Sequence, residues 1–415
     1  MKDLDLIVVG GGASGLFAAG RAAEMGKKVL LLEKNRTVGQ KLSITGGGRC
    51  NVTNAELDSR VLLKYYGDAE QFLYSAFSQF GVKETFDFFE KRDLPLVVEA
   101  NKRAFPNTHK AADVVRVLKK YVEEGGVVVK TNSPVTRINS GSKGIESVVC
   151  GEEEYKAKEF IFATGGFSHP TTGSTGDGFT WLKDLGHSVV SPTPTIVPIR
   201  TVEAWSKKLA GISADAAKIT FYTEGKKAFA KEGKILFTHL GLSGPLILNS
   251  AYQVATLLEA GTVTAGIDLY PKLDLGALDT HVVKVFDNNK NKELKNAIKD
   301  LVPAGMTSGV LEVLGEFMDP TKKVHSVSRE ERGKIVRVLK ALPLTIQGLM
   351  GFDRAVVADG GVTLEEVDTR TMRSKKVRNL FLTGDLLHIN RPSGGYSLQL
   401  CWSTGFVAGT HAGIL

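Results

Sequence analysis

Leu6, Ile7, Val8 and Val9 form an unbroken apolar run that ends at Gly10, Gly11 and Gly12. Such a run, without polar alternation, predicts a strand buried on both faces. From Ala13 to Met25 the pattern turns alanine-rich with good helix formers, and Gly26 supplies the stop. Val29 to Leu32 reads as a second buried strand, closed by Glu33. The opening is therefore a strand–turn–helix–strand unit of about 30 residues. Residues 34–67 read as loop-rich. Apolar spacing predicts two helices within 69–92, and a third in "FPNTHKAADVVRVLKKYVEEGG", where Val114, Val115, Leu118 and Val122 share a face and Gly125 ends it. "VVVKT", "VTRI", "IESVVC" and "EYKAKEFIFAT" are short, alternating and separated by turn residues, which predicts a small meander.

"GSTGDGFTWLKDLGH" starts another helix, and the proline-punctuated "SPTPTIVPI" marks a crossing into a new domain. The pattern is strand-like over 195–271 and mostly helical over 275–345. From 352 it returns to strands ("RAVVADGGV", "NLFLTGD") and a closing helix, "SLQLCWSTGFVAGTHA".

Composition adds bounds. A chain of 415 residues, 42% hydrophobic, has ample material for a buried core and predicts two or three domains. No segment approaches the ~20 consecutive apolar residues of a membrane helix, and the N-terminus lacks a signal-peptide pattern. Cys50, Cys150 and Cys401 form neither a CxxC pair nor a zinc pattern, which points to a reducing cytoplasm, no metal and no dithiol–disulfide chemistry. The excess of 53 basic over 45 acidic residues favours anionic ligands. Its scatter along the chain favours a lysine-rich soluble surface over a nucleic-acid tract.

Gly10, Gly12 and Gly15 match the dinucleotide fingerprint in its proper place, between strand and helix. Gly10 allows the tight turn, Gly12 lets a pyrophosphate approach the backbone, and Gly15 lets helix and strand pack closely. The helix start at Ala13 and Ser14 offers free N–H groups and a partial positive charge to phosphate. Glu33 ends the second strand, where a carboxylate binds a ribose diol; Lys34 follows it in the same candidate site. Three further segments favour FAD over NAD. They are "FIFATGGFS", with Thr164 and Gly165 after a strand; "NLFLTGD", with Gly384 and Asp385; and "PSGGYSLQ", with Gly394, Gly395 and Tyr396 opening the last helix. A second helix N-terminus at the flavin would stabilise negative charge on the reduced ring.

"KLSITGGGRCNVTN", "RAFPNTHKAADVV", "ATGGFSHPTTGSTGDGF", "LFTHLGLSGPLIL" and "TGDLLHINRPSGGYSLQ" together resemble the bacterial BaiN/YhiN-type flavoproteins, NAD(P)/FAD-dependent oxidoreductases of three domains. The resemblance runs from Asp3 to Gly413. It implies an α/β chain: a glutathione-reductase-type, Rossmann-like FAD-binding domain (1–192 and 346–415), interrupted by a β-rich domain (193–272) and a helical domain (273–345). It also implies that Gly46, Gly47, Gly48, Arg49, Cys50 and Asn51 lie against FAD, their amides forming an anion nest. Arg49 either neutralises charge there or makes a structural ion pair. Lys41 either reaches phosphate or is solvated. Val135, placed in the first meander strand, either pairs its backbone with adenine or packs in the core. The family pattern has Glu where Asp385 stands and Asn where Ser397 stands.

These readings predict an FAD-dependent oxidoreductase that acts on a small organic substrate by hydride transfer through the flavin. The resemblance leaves open an NAD(P)H-linked reduction of an enone and an oxygen-linked oxidation of an amine. Only one complete dinucleotide fingerprint is present, so NADH or NADPH as donor must visit transiently. An RNA-binding or RNA-modifying flavoprotein is the alternative reading, motivated by the basic charge. No residue declares itself as the catalytic acid or base: Tyr396, His388, His239 and Cys50 each have an ordinary packing role as well. The sequence sets no oligomeric state.

Overall fold

The computed structural model describes residues 4–413. Its contacts divide the chain into two units: one combines the chain up to Pro194 with that from Val356 onward, and the other is Thr195–Ala355.

In the first unit, β1 (Leu4–Val9), β2 (Val29–Leu32), β3 (Val128–Lys130), β4 (Ala157–Phe162) and β5 (Leu380–Leu382) form one sheet in the order β5-β4-β1-β2-β3. Every neighbouring pair is parallel. Leu6, Ile7 and Val8 are fully buried, as a strand covered on both faces requires. Strand order reverses at β1, between β2 and β4, and ligands of open α/β sheets bind outside the carboxyl ends of the strands at such a point. Helices α1 (Ala13–Glu24), α2 (Ala111–Glu124) and α3 (Tyr396–His411) belong to this unit. Gly405 and Gly409 stand one turn apart on α3. A Cβ on either would meet α1 main-chain oxygens, Ser14 at 2.7 Å and Ala18 at 2.4 Å, so these glycines set the close approach of the two helices.

The predicted meander is divided. Val128–Lys130 and Ala157–Phe162 join the parallel sheet, and only Arg137–Gly141, Gly144–Cys150 and Glu153–Tyr155 form a separate antiparallel sheet. Phe160, Ile161 and Phe162 are an unalternated run, which suits a strand covered on both sides better than a meander edge. The stretch expected to be loop-rich holds short helices at Gln40–Ile44 and Ser59–Leu63, the latter capped by the Asp58 carboxylate, which accepts from the amides of Arg60 and Val61.

The second unit contains a closed six-stranded barrel, ordered Ile199–Thr201, Gly241–Ser243, Lys226–Thr238, Ser213–Thr223, Val263–Asp268 and Leu342–Leu349. Helices at Ala204–Lys208, Pro245–Leu248 and Ala251–Ala260 interrupt the region expected to be strand-like. Helices Leu275–Asp287, Thr307–Gly315 and Arg329–Lys340 place Leu278, Val310 and Ile335 in one core with Ile219, Phe221 and Phe237 of the barrel.

Candidate functional site

The glycine loop between β1 and α1 is tight at two positions and open at a third. A Cβ on Gly10 (φ +106°) would lie 2.5 Å from the Ala163 oxygen, and one on Gly15 would lie 1.8 Å from the Gly10 oxygen. Around Gly12, no heavy atom beyond its chain neighbours lies within 4 Å of such a carbon. Gly12 is also the N-cap of α1, which has no side-chain cap and no acid in its first turn. The amides at Ala13 and Ser14 therefore begin a helix whose positive end is uncompensated, an anion site in physical terms.

Glu33, buried at the end of β2, is fixed by two amides: Gly11 N–H donates to Oε2 at 2.8 Å and Asn35 N–H to Oε1 at 2.7 Å. Each carboxylate oxygen retains acceptor capacity for a ribose hydroxyl. The Lys34 ammonium turns elsewhere, to Asp177 at 2.7 Å and to Thr175. Val135 lies before the strand Arg137–Gly141 rather than within it. That loop is tied to Glu33 through Ser133 N–H, which donates to the Glu33 oxygen at 2.9 Å.

A second set of segments converges from far along the chain. Gly39 N–H donates to the Gly11 oxygen at 2.8 Å, which pins the short helix carrying Lys41 to the glycine loop. Lys41 Nζ lies 3.1 Å from Ser168 Oγ, beyond Thr164 and Gly165 at the end of β4. Gly165 (φ +72°) makes the turn there, and a Cβ would meet Ser174 Oγ at 2.8 Å. Gly46, Gly47 and Gly48 all adopt positive φ, and nothing crowds the latter two. That conformation explains the run of glycines.

Arg49 has protein partners in the structure described. It pairs with Glu99, donates to His109 Nδ1 at 3.1 Å and lies 4.2 Å from the Phe105 ring centre. Cys50 is fully buried, and burial pushes its thiol up to about 12, so it is protonated and inert as a nucleophile. Asn51 Oδ1 is buried with no hydrogen-bond partner among the described residues.

From β5, Gly384 (φ +60°) donates its N–H to Thr404 Oγ1 at 3.0 Å, and a Cβ there would lie 3.0 Å from Ser14 Oγ. Asp385 pairs with Arg391, which is buried and also donates to the Ile389 oxygen at 2.6 Å and to Ser397 Oγ at 3.1 Å. Gly395 (φ +101°) presses on the backbone just beyond Asn51, since a Cβ would lie 2.2 Å from the Thr53 carbonyl carbon. Asn54 Nδ2 donates to the Gly394 oxygen at 3.3 Å, closing the same contact. Tyr396 opens α3; its ring is 4.9 Å from that of Tyr65, and burial and the Tyr65 phenol hold its pKa well above the ordinary tyrosine value. His388 Nε2 lies 3.5 Å from Asp359 Oδ1, and His239 is exposed on a turn of the second unit.

The first unit thus brings together Gly10–Gly15, Glu33, Lys41, Cys50–Asn51, Gly384–Asp385 and Gly394–Tyr396, and leaves the Lys34 and Arg49 side chains on other partners. Ser168 and Arg391 join the site as well; both lie inside the segments "FIFATGGFS" and "TGDLLHINRPSGGYSLQ", where no pattern sets either apart from its neighbours.

FAD carries what three of these features lack. The open space at Gly12 and the α1 amides suit a diphosphate, Lys41 has no carboxylate within 4 Å among the described residues, and Asn51 Oδ1 needs a donor. Among the described residues, no group of three His, Cys, Asp or Glu side chains could hold a metal ion, and no helix is long and apolar enough to cross a membrane.

The family described as HI0933-like protein Rossmann domain matches residues 4–411. The 3-dehydro-bile acid delta(4,6)-reductase of Clostridium scindens is 29% identical over 414 residues, covering 98% of each chain. The ribosomal RNA dihydrouridine synthase of Escherichia coli is 27% identical over 406 residues, covering 98% of this chain and 97% of that one. Among solved structures, the 3-ketosteroid-delta4-(5alpha)-dehydrogenase of Rhodococcus jostii RHA1 is 15% identical with a TM-score of 0.54, over 100% of this chain and 97% of that one, and shares the fold.

Proposed function

The chain belongs to the HI0933-like Rossmann family and is an FAD-dependent oxidoreductase, and we propose that it reduces a carbon–carbon double bond conjugated to a carbonyl group. One observation carries this reading. Two relatives matched over nearly their whole length bear names with unlike substrates and one type of bond. A Δ4,6 3-oxo bile acid has its double bonds in conjugation with a ketone, and dihydrouridine is uracil saturated beside its C4 carbonyl. The shared chemistry is saturation of an electron-poor alkene.

Bound FAD supplies hydride chemistry for that step. The α1 amides and Lys41 would hold its diphosphate, Glu33 its ribose, and Asn51 Oδ1 a donor group. Burial and the Tyr65 phenol keep the Tyr396 hydroxyl protonated at neutral pH, which makes it a hydrogen-bond donor to a substrate carbonyl rather than a tuned acid. NADH or NADPH is the proposed donor, visiting transiently because one dinucleotide fingerprint is occupied by FAD. The free cysteines agree with a cytoplasmic protein.

A second reading narrows the alkene to the C5=C6 bond of uracil in RNA. The net charge of +8 and the Escherichia coli relative favour it. Anaerobic stopped-flow tests both readings. Reduce the protein with NADH or NADPH, then mix with a steroid 4-en-3-one, a uridine-containing RNA, or their saturated counterparts. Reoxidation by a conjugated substrate and not by its saturated form is expected, and the substrate that works chooses between the readings. Indifference to every conjugated alkene would overturn the proposal.

A further inference from the structure

Lys41 is a cation without an anion. Among the described residues its Nζ makes one hydrogen bond, to the neutral Ser168 hydroxyl at 3.1 Å, and no carboxylate lies within 4 Å. The ionisable groups that act on it are Asp385, Cys401 and Arg391. Asp385 is already paired with the buried Arg391, and burial pushes the Cys401 thiol up to about 12, so neither supplies free negative charge at neutral pH. The residues leave one uncompensated positive group, two positions after Gly39, whose amide is bonded to the glycine loop. The uncapped start of α1 faces the same loop. The segments that carry the Lys41 ammonium and the positive end of α1 are thus bonded to each other at the glycine loop.

Resting on the FAD reading, we propose that the diphosphate of the bound nucleotide is the missing counter-ion of Lys41, so that capture of the cofactor by the apoprotein draws a proton onto this side chain. Burial lowers the pKa of Lys41 in the structure described, with Asp385 opposing and Arg391 adding to the effect. A diphosphate beside it moves the pKa back up. Between the two values, nucleotide binding takes up a proton from solvent, and affinity falls as pH rises, by up to about tenfold per unit for one proton. Below the lower value, Lys41 is charged in both states and binding is independent of pH.

The test is isothermal titration of apoprotein with FAD, from neutral to carbonate pH, in buffers of different ionisation enthalpy. ADP serves as a second ligand, carrying the diphosphate without the flavin ring. Wild-type protein is expected to take up protons with both ligands, while Lys41→Met binds more weakly and takes up none. Lys41→Arg, charged at every pH used, is expected to bind FAD with a flat pH profile, and it carries the test if the Met variant fails to fold. Proton uptake unchanged in either variant, or absent from the wild type throughout, overturns the proposal. Uptake with FAD and not with ADP overturns the diphosphate as the partner. FAD binding without uptake leaves the FAD reading intact, whereas failure to bind FAD removes both.

Discussion

Gly12 and Gly15 stand three residues apart and are glycine for different reasons. A Cβ on Gly15 would collide with the Gly10 oxygen, so the residue serves the packing of α1 on β1. Gly12 has φ −81° and open space, so the protein alone would accept a side chain there. Gly15→Ala is expected to destabilise the apoprotein by about 1–3 kcal/mol. Gly12→Ala is expected to change apoprotein stability by no more than about 0.5 kcal/mol and to weaken FAD by about tenfold or more by filling the diphosphate space. Urea unfolding of both apoproteins, with fluorescence titration of FAD, separates the two. Equal destabilisation would show that the open space at Gly12 has another purpose. Cys50 provides a further check: its buried, protonated thiol should resist an aromatic disulfide reagent until the protein unfolds. The fingerprint spacing made these glycines legible and already gave Gly15 to packing and Gly12 to the ligand. The structure adds the atoms that enforce the division, the Ala163 and Gly10 oxygens, which spacing does not report.

At the scale of elements, one buried contact ties the turn after helix Asp177–Asp184 to the segment that leads into β5. The His187 side chain is fully buried, with Nδ1 2.8 Å from Glu366 Oε2 and Nε2 2.9 Å from Ser374 Oγ. Burial lowers the His187 pKa below the ordinary value, against the pull of Glu366. Burial alone would raise Glu366, but Lys376, Ser188 and His187 hold its carboxyl down at about 2. Both shifts have the same sign in stability, because the unfolded chain binds the proton more readily in each case. Stability is expected to be flat above the unfolded histidine value near 6.5, to decline as pH falls below it, and to decline further through the carboxylate range. His187→Ala should cost about 1–3 kcal/mol at neutral pH by stranding Glu366 and Ser374, and should flatten the profile between about pH 5 and pH 7. A thermal-melt series against pH checks both; an unchanged slope would remove His187 as the cause. None of this was legible, since positions 187, 366 and 374 are joined only by folding. The meander shows a related limit. Four short apolar strands look alike in sequence, and parallel partners 2, 1 and 5 decide which of them enter the main sheet.

For the whole molecule, the two units have separate cores, the larger on the parallel sheet and the other shared by barrel and helices. The fragment Thr195–Ala355 is expected to fold alone, to unfold cooperatively and to bind no FAD. In the full chain, FAD at 100 times its dissociation constant should stabilise the first unit by about 2.7 kcal/mol. Hydrogen exchange should place that protection on β1, β2, β4 and β5, and the same protection in the isolated fragment would contradict this assignment of the site. If RNA is the substrate, the charge of +8 predicts that log affinity falls steeply with log salt. A flat salt profile would leave the small conjugated ketone as substrate class.

The sequence alone determined the βαβ unit, its glycine fingerprint, the acid that closes β2 and the succession of strand-rich and helical stretches. Each is a local pattern of side-chain size, polarity and backbone freedom, and such patterns survive in one dimension. Only the tertiary structure decided that Arg49 belongs to Glu99, that Arg391 neutralises Asp385, and that Lys41 is left with a hydroxyl. Those outcomes depend on which charges a fold brings within a few ångströms and which it removes from water, and both are set by contacts between segments hundreds of residues apart.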